Sequence, residues 1–553
     1  MLDHVVGFEA VAATKTFAEA SPDLVASILA EAGRLSTDVL GPLQRAGDTQ
    51  GAVLDNGVVR SSPGFAEGYG AIAAGGWIGI SASAEHGGMG LPHTLASAVN
   101  DMMSGACLSL QLNPLMTQGQ IDALEHHASA DIQALYLPRL ISGEWSGTMN
   151  LTEPQAGSDV GALRASATDN GDGTFAVSGQ KVFISWGDND FCANVCHLVL
   201  ARLPDAPAGT KGISLFLVPK FLPDADGAPG ARNSLQVVSL EEKMGLHGSP
   251  TAVMQYDGAT GWMIGAPGGG MAAMFTMMNN ARLGVGIQGI GAAEGAYQAA
   301  LEFAQDRKQG RAALGGDSIL GHPDVRRMMA EMKADIFAAR AISLACAVAG
   351  DMATATGDSY WRDRAALLTP LAKAFGTDVG VRVTNTAIQV HGGMGYIEET
   401  GIAQFARDVR VTAIYEGTNG IQSIDLIGRK LADGGTQMFM LCDEIDAFCA
   451  EVSSRDADAV ARAAQALRGA TEWMLAQSDM TQRLWGSWPF LHGVARVLGG
   501  YFHLRAAAQE GPDSARARLA GFYISRMLPD YVGAFAHATS GASDISPEDL
   551  QSA

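Results

Sequence analysis

At 553 residues and 47% hydrophobic content, the chain is too long for one core, and three or more packed units are expected. A net charge of −21 repels nucleic acid and anionic lipid, so any phosphate-bearing ligand needs a locally basic site. No run approaches about 18 uninterrupted apolar residues, which argues against a membrane span.

Met1-Leu2-Asp3-His4 lacks the basic region and apolar run of a secretory signal. The six cysteines (Cys107, Cys192, Cys196, Cys346, Cys442, Cys449) are scattered, and Cys192 and Cys196 have no second ligand pair beyond His197. They read as buried thiols of a reducing cytoplasm, with no metal site. Residues 1–145 read as helical: Asp23–Leu40 carries Leu24, Ile28, Ala32 and Leu35 at three- and four-residue steps. Glu85-His86-Gly87-Gly88-Met89-Gly90-Leu91-Pro92 predicts a tight turn before a buried helix at about 93–111, and His126 and His127 read as structural.

From 146 to 262 the texture is that of a β domain, a small barrel or sandwich. Asp172-Gly173 marks a hairpin, and Leu198–Leu203, Ile213–Pro219, Leu235–Leu240 and Thr251–Asp257 are strand candidates. Residues 263–431 return to helix, with amphipathic stretches near 271–307, 323–356 and 363–390 that suggest a four-helix bundle. A further helical domain is expected over 432–538, in stretches at 437–452, 456–477, 482–510 and 514–538. The last fifteen residues, 539–553, are small, polar and acidic and are expected to lack order.

The chemistry concentrates in Ala-Ile-Tyr-Glu-Gly-Thr-Asn-Gly-Ile at 413–421. Its one carboxylate, Glu416, follows Ile414-Tyr415. That placement predicts a partly apolar wall, a raised pKa and a stronger base, although a helix-capping glutamate gives the same pattern.

Ile414-Tyr415-Glu416-Gly417-Thr418 resembles the catalytic segment of the acyl-CoA dehydrogenase family. Three other segments resemble that family: Met149-Asn150-Leu151-Thr152-Glu153-Pro154-Gln155-Ala156-Gly157-Ser158-Asp159, Gly179-Gln180-Lys181-Val182-Phe183-Ile184-Ser185, and Gln389-Val390-His391-Gly392-Gly393-Met394-Gly395. The resemblance covers about residues 60–431. It implies a mainly α fold with a central β domain and an FAD-dependent α,β-dehydrogenation of an acyl-CoA thioester to the trans-2-enoyl-CoA. Glu416 would remove the α-proton while the β-hydrogen leaves as hydride to flavin N5.

By the same resemblance, Met149, Leu151, Thr152, Gly157, Ser158, Phe183 and Ser185 would hold the flavin ring. Arg307, Gln309, Gln389, Gly392, Gly393, Thr418 and Gly420 would hold the rest of FAD, partly across a homodimer. Ser158, Asn279, Arg282, Tyr415 and Gly417 would contact the substrate. The backbone N–H of Glu416 and a ribityl hydroxyl would stabilise the enolate. Electron-transfer flavoprotein would take the electrons. The chain departs from the family in having Phe183 and Ser185 for Trp and Thr, Gly310 for an aromatic, and Gly420 for a glutamine. The extra C-terminal helices resemble the long branch, which includes dehydrogenases of methylthiopropionyl-CoA and of broad-range fatty acyl-CoA. An acyl-CoA oxidase would share most of these motifs. A DNA-associated flavoprotein of the alkylation-response type would need a basic C-terminus, but residues 429–553 hold 11 Lys/Arg against 15 Asp/Glu.

Overall fold

The computed structural model describes residues 1–551, so residues 552 and 553 of the tail lie outside the described residues. The chain forms two compact units. One comprises Phe17–Gly284 with Ala403–Arg410; the other comprises Met1–Thr16, Val285–Ile402 and the chain from Val411 on.

The first unit begins with helix Pro22–Arg34, started by Ser21, whose hydroxyl accepts from the Leu24 N–H. A short hairpin, β1 (Val53–Asp55) with β2 (Val58–Arg60), interrupts a stretch that the sequence marks as helical throughout. Helix His93–His127 runs well past the expected end near 111. Its φ/ψ break at Cys107, and it continues through Pro114, so one apolar run hides two joined helices.

The β domain follows as β3 (Trp145–Asn150), β4 (Ser166–Asp169), β5 (Phe175–Ser185), β6 (Asn194–Arg202), β7 (Ile213–Pro219), β8 (Phe221–Pro223), β9 (Pro229–Arg232), β10 (Leu235–Leu240) and β11 (Thr251–Ile264). Strands β11, β5, β4, β6 and β7 pair in turn, and β7 returns to β11, so the sheet closes on itself. This is a small barrel, with β10 and β3 attached at β11 and β6. Val177, Ile184, Val199, Phe216, Val218, Met254 and Tyr256 fill its interior. Burial drives His197 down to about 3, so it is neutral there, and its Nδ1 lies 3.0 Å from the Tyr256 hydroxyl.

The second unit is helical: Pro323–Thr356, Ser359–His391, Asn419–Asp425, then Thr436–Val452, Arg455–Ala476, Met480–Trp485, Ser487–Glu510, Ala515–Arg526 and Asp530–Ala538. Helix Gly270–Asp306 carries the chain in from the first unit. Helix Pro323–Thr356 is long and apolar enough to cross a bilayer by composition, but 78% of its most apolar window is buried in the bundle. The expected helix 482–510 is broken at Gly486, where a Cβ would meet the Ala538 carbonyl oxygen at 2.1 Å. Only glycine fits there, and Pro489 then lies in the first turn of the next helix.

Two features tie this unit together. Asp335, 2% exposed, receives Arg382 (Nη2, 2.6 Å) from helix Ser359–His391 and Arg496 (Nη1, 2.6 Å) from helix Ser487–Glu510. Burial pushes its carboxyl up, but the two guanidinium groups hold it below the usual range. The second feature is a backbone-to-backbone approach. A Cβ on Gly376 would lie 2.6 Å from the Gly286 carbonyl oxygen, and one on Gly289 would lie 2.6 Å from that of Gly376. We expect Gly376→Ala to force helices 270–306 and 359–391 apart and to cost about 1–3 kcal/mol, read as a lowered denaturation midpoint at unchanged m-value.

Candidate active site

The predicted flavin-ring residues lie in the barrel unit, on β3, the loop after it and β5. β3 and the loop after it are pinned to the end of β5 by three contacts. The Val182 N–H donates to Thr152 O (3.0 Å), Thr148 Oγ1 donates to Ser185 O (2.7 Å), and Lys181 Nζ donates to Leu151 O (3.0 Å). Met149 is buried, Leu151 and Thr152 are half-buried, and Gly157 and Ser158 are exposed. Nothing lies within 4 Å of a Cβ placed on Gly157.

Phe183 is 63% exposed although it lies in a strand. The pairing of β5 with β11 explains this. Ile184 faces Ala252 and Lys181 faces Met254, so Val182 and Phe183 together oppose Val253. This bulge puts Phe183 at φ +60° and turns its ring outward. A left-handed phenylalanine is unfavourable without a reason for it, and an outward apolar ring beside open backbone suits a planar ligand. Trp186 points elsewhere: it is fully buried, and its Nε1 donates to Ser109 O (3.2 Å). In the same unit, Asn279 is exposed, while Arg282 is 5% exposed with its guanidinium 6.0 Å from the Phe275 ring.

Sequence reading missed the buried ion pair behind this loop. Lys181 Nζ meets Glu153 Oε1 at 2.8 Å, and the Glu153 carboxylate also accepts from the N–H groups of Arg164 (2.7 Å) and Ala165 (2.9 Å). Both residues were inside the quoted motifs. A lysine next to Val-Phe-Ile in a strand was the available signal, because only a buried acid makes an inward lysine tolerable.

In the helical unit, Tyr415 and Glu416 lie in the turn before helix Asn419–Asp425. Glu416 is half-buried at φ +54°, with Gly417 at φ +82°. Gln422 is fully buried and donates from Nε2 to the carbonyls of Glu416 and Gly417 (both 3.3 Å). Tyr415 Oη donates to Gln288 Oε1 at 2.5 Å. Burial pushes the Tyr415 phenol well up, and the Glu416 carboxylate adds to that shift. Thr418 Oγ1 caps the helix by accepting from the Ile421 N–H (3.2 Å), which leaves the hydroxyl proton to donate elsewhere. Asn419, passed over in the sequence, is 4% exposed. It accepts from Lys373 Nζ (2.8 Å) and donates from Nδ2 to Asp378 Oδ1 (2.8 Å). Gly420 is exposed.

Arg307, Gln309, Gln389, Gly392 and Gly393 are all exposed in this unit. The Arg307 and Gln309 carbonyls accept from the Ile319 N–H (2.7 Å) and pair with His322 Nε2 (2.7 Å), which fixes that loop and leaves both side chains outward. No atom lies within 4 Å of a Cβ on Gly392 or Gly393, so backbone there is open to a phosphate-bearing ligand. His391 stacks on Phe303 with ring centroids 4.3 Å apart, in keeping with a packing role.

A closed β domain followed by a helical bundle, with a lone glutamate held in a left-handed turn, is the architecture of an acyl-CoA dehydrogenase. Family models match in series along the chain: the acyl-CoA dehydrogenase N-terminal domain over 61–144, the middle domain over 148–259 and the C-terminal domain over 268–432. A further match, acetyl-CoA dehydrogenase C-terminal like, covers 441–546.

The chain belongs to the acyl-CoA dehydrogenase family; it is a flavoprotein oxidoreductase acting on acyl-CoA thioesters. It is 44% identical over 516 residues to the 3-methylmercaptopropionyl-CoA dehydrogenase of Ruegeria pomeroyi, covering 90% of this chain and 88% of the relative. It is 33% identical over 563 residues to a butyryl-CoA dehydrogenase of Syntrophomonas wolfei, covering 93% and 92%. Among solved structures, Caenorhabditis elegans ACDH-11 in complex with C11-CoA superimposes with a TM-score of 0.79 at 20% identity, covering 94% of this chain and 90% of that one. That likeness shows the fold, including the C-terminal helices.

Proposed function

We propose that the chain oxidises 3-methylthiopropionyl-CoA, or a thioester of similar short length, to the corresponding trans-2-enoyl-CoA, with Glu416 as the base. The observation that carries the base assignment is the turn itself. A half-buried carboxylate at φ +54° is held by Gln422 through two carbonyls and flanked by a phenol tied to Gln288. Left-handed backbone at a non-glycine residue is costly, and it persists where the surroundings over-determine it.

The cofactor in this reading is FAD, which when bound supplies the hydride acceptor. Phe183 offers a ring face to it, and the open backbone at Gly157 allows close approach, while Ser185 and Thr152 bring hydroxyls to the same loops. The glycines at 392–393 and the exposed Arg307 and Gln309 suit the pyrophosphate and adenine half. In this reading Ser158, Asn279 and Arg282 meet the CoA arm, and Tyr415 and Gly417 meet the thioester end. Electron-transfer flavoprotein is the proposed acceptor and a homodimer the proposed assembly. The six unpaired cysteines fit a cytoplasmic setting. The acyl preference rests on the 44% identity to the Ruegeria enzyme.

Anaerobic bleaching of the flavin across a panel of acyl-CoAs tests the proposal. The highest kcat/KM is expected for 3-methylthiopropionyl-CoA or butyryl-CoA. A clear preference for chains of eight or more carbons would overturn the substrate assignment. Steady peroxide formation in air without a dye acceptor would overturn the dehydrogenase assignment in favour of an oxidase.

A further inference from the structure

The Glu416 turn is tied to the bundle by a polar chain, buried at Asn419, Lys373 and Thr377, that reaches the C-terminal helices. Asn419 begins the helix that follows the turn. Its side-chain oxygen accepts from Lys373 Nζ at 2.8 Å, and its amide donates to Thr377 Oγ1 at 2.9 Å and Asp378 Oδ1 at 2.8 Å. Lys373 and Thr377 are fully buried, so these bonds are made out of competition with water.

On the other side of Asp378, Oδ2 lies 3.0 Å from Nε2 of His492 on helix Ser487–Glu510, a close polar approach without hydrogen-bond alignment. That helix makes a second approach nearby, with Ser487 Oγ 3.2 Å from Ser423 Oγ, one helical turn on from Asn419. One end of the chain is therefore the catalytic turn, through Asn419 and Gln422. The other end belongs to helices that follow residue 432.

We propose that Asn419 is a positioning residue for Glu416, and that His492 sets its geometry through Asp378, making the C-terminal domain part of the catalytic apparatus. The proposal rests on Glu416 being the base. Helix Asn419–Asp425 transmits the restraint, because Gln422 on its next turn holds the carbonyls of Glu416 and Gly417. A shift of the Asn419 end tilts that helix and moves the carboxylate away from the α-carbon. Displacement of a reacting group by about 1 Å costs on the order of 10²-fold in rate.

The test compares the flavin-loaded parent with Asn419→Ala, His492→Leu and His492→Gln. Three quantities are measured: the melting temperature, the Kd for a 3-thia-acyl-CoA, and the limiting rate of anaerobic bleaching per bound flavin. Asn419→Ala is expected to lose about 10²-fold in limiting rate while Kd changes by less than about threefold. His492 is partly exposed, so its variants fold even if Asn419→Ala does not. His492→Leu is expected to lose about tenfold in limiting rate. His492→Gln, which keeps a polar group facing Asp378 Oδ2, is expected to recover most of that loss.

Equal limiting rates in the parent and His492→Leu overturn the role of the C-terminal helix. A loss in both His492 variants alike, or one that vanishes when normalised to bound flavin, shows a purely structural effect and overturns it too. If the parent itself is bleached by no acyl-CoA, the reading of the reaction fails first and this one falls with it.

Discussion

Glu416→Gln is expected to bind flavin like the parent chain and to lose about 10⁴-fold in the limiting rate of bleaching by acyl-CoA, about 5.4 kcal/mol of barrier. Glutamine preserves the length of the side chain, and its backbone tolerates φ +54° as glutamate's does. The carbonyls that Gln422 grips are untouched, so the turn stays in place. What disappears is the proton acceptor. Glu416→Asp keeps the acid but withdraws it by one methylene, and an intermediate loss of about 10²-fold is expected. Rapid-mixing absorbance with the oxidised, anaerobic enzyme reads both. Retained bleaching in Glu416→Gln would sink the assignment of the base.

Lys181→Met is expected to cost about 3–5 kcal/mol of stability and to empty the protein of flavin. Methionine fills the space of the lysine stem but leaves the Glu153 carboxylate buried beside two amides and no cation. The loop 151–158 also loses its pin at Leu151. Burial lowers the Lys181 ammonium to about 8, and burial also pushes the Glu153 carboxyl up, but Lys181 and the amides of Arg164 and Ala165 bring it below 4.5 overall. Both groups are thus charged at neutral pH.

A depressed carboxyl contributes stability that is present above its unfolded value and is lost as pH falls through the folded one. The gap in melting temperature between parent and variant should therefore shrink from its value at neutral pH as pH falls below 4.5. A gap that is independent of pH would show that packing, and not the ion pair, sets the loss. Bound-flavin absorbance after gel filtration reads the second half of the expectation.

Much of the fold was legible because the sequence follows simple periodicities. Strands Ile213–Pro219 and Leu235–Leu240 have the bounds that their apolar patterns and flanking turns mark out. Barrel closure was open between two architectures in the sequence, since it depends on β7 meeting β11, a pairing with no local signature. The break at Gly486 was hidden for the same reason: its cause is the Ala538 carbonyl, more than fifty residues away in sequence.

At the candidate site, the glutamate in its glycine-flanked loop carries a sequence signal, as do the Gly157 and Gly392–Gly393 segments. The residues that hold these loops do not. Glu153 and Lys181, and likewise Asn419, Lys373 and Asp378, act by meeting partners from other elements. Polar residues of that kind look like ordinary solvated surface when read along the chain.

The carboxylate of Asp335, shared between Arg382 and Arg496, has an evolutionary consequence. Deleting everything after residue 432 would remove one arginine and leave a buried acid with a single cation, while uncovering the apolar side of helix Pro323–Thr356. A lineage that acquired the C-terminal helices and then let this trio form cannot shed them by a single truncation. It would first have to neutralise position 335 and repaint the newly exposed helix, steps that bring no advantage while the helices remain. Trimming the C-terminal helices is therefore expected to need a prior change at position 335.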